Sequence, residues 1–168
     1  YGTFSLVWGL GVAGITILLY RYRNREDRYI FFAGTLLGGA YEYICSVFTE
    51  LAFGTVFWDY SKIPFNLGGR INLLFCFFWG IAAWVWMKLL YPKVSDLIEK
   101  VPKRPGTWVT YVVLVFMVGN VLLSGIALSR YSERASGIKA NNALSEWIDE
   151  RFPDERMERI YPSAKIRK

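Results

Sequence analysis

Four long runs with almost no charged residue constrain the fold of this chain more than any other feature. Thr3 to Tyr20, Ile71 to Met87 and Thr107 to Leu128 hold no charge, and Tyr29 to Phe57 holds only Glu42 and Glu50. A helix that crosses about 30 Å of hydrocarbon at 1.5 Å per residue needs roughly 17 to 25 apolar residues, which each run supplies. The expected fold is all-α: a polytopic membrane helix bundle with four transmembrane helices over about residues 3–20, 29–48, 71–91 and 107–128. These make a transmembrane domain of residues 1–128, followed by a polar tail of 129–168. Composition agrees, with 54% hydrophobic and 18% aromatic residues beside 20 Lys and Arg and 14 Asp and Glu, a net charge of +6. A soluble enzyme is excluded. So is a nucleic-acid module, because the basic residues sit in loops and tail without a recognition motif.

Histidine is absent, and the two cysteines, Cys45 and Cys76, each lie inside a candidate span. Neither a C-x-x-C spacing nor a His partner exists, so zinc, haem, iron–sulfur and Cys–His chemistry lack ligands, and no cofactor or metal is expected. The thiols read as small packing residues. No initiating Met and no secretory signal precede Tyr1, which predicts that the chain begins inside a longer product.

Gly9, Gly11 and Gly14 in the first span would let another helix approach closely. In the second, Gly34, Gly38 and Glu42 recur every four residues, forming a stripe that should face protein. Between them Arg21, Arg23, Arg25 and Arg28, with Glu26 and Asp27, form a polar turn that sets topology and attracts anionic lipid. From Leu51 to Arg70, Gly54, Pro64 and Gly68-Gly69 break helical periodicity, while Phe53, Phe57, Trp58, Tyr60 and Phe65 read as an interfacial aromatic loop. The third span is expected to close at Lys88 to Pro92. In the tail, Asn142 can cap an amphipathic helix over 142–152, with Leu144, Trp147, Ile148 and Phe152 on one face and Pro153 as its stop. A second short helix carrying Met157, Ile160 and Tyr161 would follow.

Lys and Arg near the span ends fix an expected orientation. The loops after spans one and three hold eight against five for the loop after span two and the near tail, placing the former in the cytoplasm and the Trp58 region and tail outside.

Trp58-Asp59-Tyr60-Ser61, Asn66-Leu67, Gly69-Arg70-Ile71 and Leu73, then Trp79-Gly80 and Pro92, resemble the bacterial membrane family catalogued as "putative ABC transporter permease" (CmpB-like). Tyr1-Gly2 is similar to the end of that family's P-I-Y-G motif, and Glu42 to its intramembrane acid. Arg130, Arg134, Phe152-Pro153-Asp154 and Tyr161-Pro162 are similar to its tail. The family's preceding span, with its N-R-G and G-P segment, is missing from the chain. The resemblance implies a multi-pass protein of the bacterial cytoplasmic membrane with a role in transport.

Six residues form the candidate polar cluster, functional or structural: Glu42, Asp59, Arg70, Asn66, Trp58 and Tyr60. A carboxylate near mid-span costs a few kcal/mol on insertion scales unless protonated, paired or hydrated. Glu42 therefore either faces a water path or hydrogen-bonds a Tyr such as Tyr41, Tyr43 or one from a neighbouring helix. Asp59 and Arg70 flank the aromatic loop, where a link between them would pin it as a lid, or would bind a polar head group or anionic substrate. Asn66 and Asn72 would satisfy freed backbone groups; Trp58 and Tyr60 would anchor the interface or offer a stacking platform. Two functions follow. One is a transport-associated or accessory subunit, with membrane lipids, other membrane subunits or a second copy as partners and no nucleic acid. The alternative is an intramembrane enzyme acting on a lipid or isoprenoid through Glu42 and Asp59.

Overall fold

A computed structural model describes residues 5–166 of the chain. The Tyr1-Gly2 motif and the first residues of span one lie outside them. In chain order the elements are α1 (Leu6–Leu19), a 3-10 turn (Tyr20–Tyr22), α2 (Asp27–Phe53), β1 (Thr55–Val56), β2 (Asn66–Leu67) and β3 (Ile71–Asn72). Then come α3 (Leu73–Val85), a π-helical segment (Trp86–Leu90), α4 (Tyr91–Glu99), α5 (Lys103–Ala135), α6 (Ala143–Arg151), α7 (Asp154–Ile160) and β4 (Lys165–Ile166). The fold is all-α apart from these two-residue strands. Among the described residues three helical stretches are long and apolar enough to cross a membrane, Asp27–Phe53, Leu73–Glu99 and Lys103–Ala135, and Leu6–Tyr22 is a shorter apolar one. The chain is a multi-pass membrane protein.

The described residues divide into two compact units, one of Leu6–Cys45 and Tyr60–Val112, the other of Ser5, Ser46–Asp59 and the chain from Val113 onward. In the first, α2 meets α3 through glycine. A Cβ on Gly34 would lie 2.4 Å from Ala83 Cβ, one on Gly38 2.3 Å from Trp79 Cβ, and one on Gly80 2.3 Å from Thr35 Oγ1. No side chain fits there, so backbone approaches backbone as small residues permit in lipid. Around this seam Leu19, Ile30, Ala83 and Met87 are buried, flanked by Leu37, Trp84 and Trp86. The Gly34–Gly38–Glu42 stripe thus faces protein, as its spacing predicts. On α1 the contact is made at Gly11, where an added Cβ would lie 3.0 Å from the Tyr41 ring, while Gly9 and Gly14 open onto empty space.

Two boundaries differ from expectation. Helix α2 runs on through Leu51–Phe53 before Gly54, at φ +61°, turns the chain out of it. Nor does the third span's helix close at Pro92: the π segment carries it into α4, where Pro92 occupies the first turn. Proline's missing N–H costs nothing at a first turn, and a π segment supplies the break in the ladder that a proline otherwise forces.

In the second unit, Ala127 and Leu128 of α5 bury Ile148 and Phe152 beside Met157 of α7. Asn142 caps α6 by accepting from Ser145 N at 2.8 Å, and Ser145 Oγ in turn accepts from Asn142 N at 3.1 Å. Strand β4 pairs antiparallel with β1, Thr55 opposite Ile166. The expected apolar face of α6 is split. Ile148 and Phe152 are 0% and 2% exposed, whereas Leu144 and Trp147 are 58% and 50% exposed, because α5 covers only the edge of α6 on which the former two lie.

Candidate functional site

The aromatic loop is built to deliver one hydroxyl. Phe65, Gly68 and Gly69 all take positive φ, and Arg70 N donates to Leu67 O at 3.1 Å to close a tight turn between β2 and β3, with Asn66 opposite Asn72. Asn66 braces the turn from inside, its Nδ2 donating to Ile63 O at 2.7 Å and its Oδ1 accepting from Gly69 N at 2.9 Å. Asn72, 1% exposed, ties the loop to the helix after it: Nδ2 donates to Pro64 O at 2.6 Å, and Oδ1 caps α3 by accepting from Leu74 N at 2.9 Å. Both asparagines satisfy freed backbone groups, as their positions predict.

Held this way, Tyr60 donates its backbone N–H to Gly69 O at 2.8 Å, and its ring stacks on Phe75 with centroids 4.8 Å apart. Its hydroxyl donates to Glu42 Oε1 at 2.7 Å. From α3, Trp79 Nε1 donates to Glu42 Oε2 at 3.2 Å. Glu42 is 8% exposed, and both its oxygens are engaged. The acid therefore joins three elements: its own helix, the loop and α3. Burial, with the bond to Glu42 second, pushes the Tyr60 hydroxyl well above the usual phenol range, so it stays a neutral donor at every physiological pH.

Of the sequence candidates, Glu42, Tyr60 and Asn66 come together in this unit. Arg70, half-buried, lies with its guanidinium 6.0 Å from the Tyr43 ring centroid, at the outer limit of a cation–π contact. Trp58, half-buried, and Asp59, exposed, belong to the other unit. Tyr60 comes from the loop, whereas Tyr41 and Tyr43 are the nearest candidates in sequence for a partner to Glu42; Tyr41 instead donates to Val7 O at 2.6 Å. Trp79 is not legible in the sequence as a ligand of Glu42. The signal for it is the adjacent Gly80, whose missing side chain brings α3 within reach.

The second unit holds a cluster that sequence reasoning misses. Arg130, 6% exposed, forks onto Asp149, with Nη2 at 2.6 Å from Oδ2 and Nε at 3.2 Å from Oδ1, and also binds Glu133. Arg134 bridges Asp149 Oδ1 at 2.5 Å, Asp154 Oδ1 at 2.7 Å and Phe152 O at 3.0 Å. Two arginines one turn apart on α5 thereby clamp α6 and the start of α7. Hydrogen bonds from Arg130 and then Arg134 hold the Asp149 carboxyl below the usual carboxylate range, against burial, which acts the other way. Among the described residues no group of three or more His, Cys, Asp or Glu is placed to hold a metal ion.

No curated protein and no solved structure matches the chain. Residues 1–125, which include the glycine seam, Glu42, the Tyr60 loop and Trp79, match the profile of the family described as "Putative ABC-transporter type IV". A match over that much of the chain makes it a member of this putative ABC-transporter type IV family.

Proposed function

We propose that the chain is a transport-associated or accessory subunit of a bacterial cytoplasmic membrane complex, spanning the membrane four times, with Glu42 serving as a structural lock. The observation that carries this is the contrast between two of its long helices. The apolar window of α2 is 44% buried within the chain, that of α5 only 11%. Trp108, Val112, Val115 and Phe116 of α5 are all more than half exposed, and Gly119 has no atom within 4 Å of its Cβ position. A helix that bare, with a glycine opening on it, suits close approach by a helix from another subunit.

Support for the fourth span comes from α1, which lies on Tyr41 through Gly11 and sets Trp8 against Trp79, ring centroids 5.1 Å apart. Lys88 Nζ, 2.7 Å from Arg25 O and 3.1 Å from Asp27, brings the two basic loops to one side, in keeping with their common cytoplasmic placement. The alternative of an enzyme gains nothing from the Glu42 geometry, since Tyr60 and Trp79 already occupy both carboxylate oxygens.

The test is cross-linking in native membranes followed by extraction of the full chain into lipid nanodiscs and intact mass measurement. A stoichiometric complex with other membrane or nucleotide-hydrolysing subunits is expected, cross-linked through α5. Recovery of the chain alone, with cross-links only to itself or to none, overturns the proposal.

A further inference from the structure

Where the Tyr20–Tyr22 turn meets the π segment, an open groove of about 540 Å³ is lined by Tyr20, Arg23, Asn24, Lys88, Tyr91 and Asp96, among others. Its cationic side is preorganised. Arg23 lies 4.0 Å over the Tyr20 ring and donates Nη1 to Tyr20 O at 3.0 Å, which fixes the guanidinium while leaving its other donors without a protein partner among the described residues. The Lys88 side chain is only 23% exposed and spends two contacts on Arg25 O and Asp27, leaving a third ammonium proton. Asn24 adds a side-chain amide with no hydrogen bond among the described residues. Against these donors, α4 contributes one carboxylate, Asp96, which likewise has no ion pair or hydrogen bond among the described residues.

The groove continues into a second one of about 600 Å³ that shares Tyr91 and Ser95 with it. Val12, Ala13 and Ile17 of α1 and Val94 and Ile98 of α4 make this part apolar. A polar site with cations from the Tyr20–Tyr22 turn and the π segment and an acid from α4, opening onto an apolar slot, is complementary to an amphiphile that carries both signs of charge. The aromatic pair Tyr20 and Tyr91, centroids 5.9 Å apart, has the composition of the head-group level of a membrane.

We propose that this double groove binds a glycerophospholipid whose head group carries a phosphate and a terminal primary amine, as phosphatidylethanolamine does. The phosphate sits on Arg23, Asn24 and Lys88, the ammonium on Asp96, and one acyl chain in the slot between α1 and α4. Free phosphate would leave the slot and Asp96 unused. A phosphoglycerol head would bring no cation to Asp96, and a quaternary choline has no N–H to donate to it. This differs from general attraction of anionic lipid to the Arg21–Arg28 turn, which would favour the phosphoglycerol lipid.

The experiment uses the full chain, delipidated in detergent and offered phosphatidylethanolamine, phosphatidylglycerol or phosphatidylcholine, with retention read by native mass spectrometry. Phosphatidylethanolamine should be retained about tenfold over either competitor, the effect of one charge-assisted contact. Arg23→Gln should lower retention of all phospholipids by about the same factor, and Asp96→Asn should erase the preference for the amine while keeping phosphate-dependent binding. Asp96 is exposed and Arg23 half-buried, and unchanged melting temperatures confirm that the variants remain folded. Equal retention of the three lipids, preference for phosphatidylglycerol, insensitivity to Arg23→Gln, or displacement of the lipid by inorganic phosphate at equal concentration overturns the proposal.

Discussion

Tyr60 and Glu42 lie eighteen positions apart in sequence, yet a 2.7 Å hydrogen bond from loop to helix joins them. The bond folds the loop back onto an acid that the lipid would otherwise penalise. With Trp79 on the other oxygen, each oxygen of the acid accepts a hydrogen bond and the residue is buried.

Substitutions of Glu42 should therefore rank by what they can accept. Glu42→Gln keeps one oxygen for the Trp79 indole, a donor only, and turns its amide toward Tyr60, whose hydroxyl can accept. Glu42→Leu orphans two part-buried donors and should cost about 1–3 kcal/mol for each, read as a lower melting temperature in detergent. Tyr60→Phe should fall between the two. Equal stability of the Leu and Gln variants would remove Glu42 from this role.

Along the α2–α3 seam, Gly34→Ala and Gly38→Ala should each destabilise by about 1–3 kcal/mol, since the new methyl must displace Ala83 or Trp79. Gly14→Ala makes the same chemical change in open space and should gain up to about 1 kcal/mol from helix propensity. Chemical or thermal unfolding of the three variants side by side checks the contrast, and a common effect of one sign would refute the close approach.

The tail clamp carries a pH dependence of definite sign. The folded carboxyl of Asp149 titrates below its unfolded value of about 3.9, so its contribution is whole above about pH 4 and fades as the pH falls through the lower folded value. Limited proteolysis of the tail should therefore accelerate in acid. Asp149→Asn should bring about a tenfold acceleration at neutral pH and flatten the acid response. A variant that is cleaved like the parent would show that the fork does not hold α6.

Within α6, neighbours 147 and 148 should behave oppositely. Ile148→Ala opens a cavity in a fully buried site and should cost about 2–5 kcal/mol, while Trp147→Ser, on the half-exposed side, should leave tail cleavage in detergent nearly unchanged. Melting and cleavage rates measured on both variants test this; equal losses would mean that α6 is covered on both sides.

Single cysteines at Ser61 and Asp96, both exposed, should react with an impermeant label from opposite faces of the membrane, because α3 lies between them. Reaction from one face only would reject the four-span topology.

How much of this is legible in the sequence follows from the range of each interaction. Charge-free runs, the four-residue stripe of Gly34, Gly38 and Glu42, and the cap at Asn142 are local patterns; the structure keeps the stripe and the cap and turns three of the four runs into helices of spanning length and the first into a shorter one. The fate of Leu144 and Trp147 depends on where α5 runs, which no period within α6 encodes. Local reasoning looks for partners of Glu42 among tyrosines one residue away or on another helix, whereas the loop turn at Gly68-Gly69 folds Tyr60 in from the connecting segment. Arg130 and Arg134 carry a one-turn spacing that suits a clamp, but Asp149 reads as one more solvated acid on a polar face, because nothing local says that α5 and α6 meet.

The π segment of Trp86–Leu90 fits one residue more than an α turn into the same stretch of helix. An α-helix advances about 100° per residue, so returning those five residues to regular pitch would swing α4 by about that angle. Tyr91, Val94 and Ile98 would leave α1 together without any of them being altered. Losing one of the five residues at the same time would cancel the swing, so the groove depends on matching chain length to the π turn.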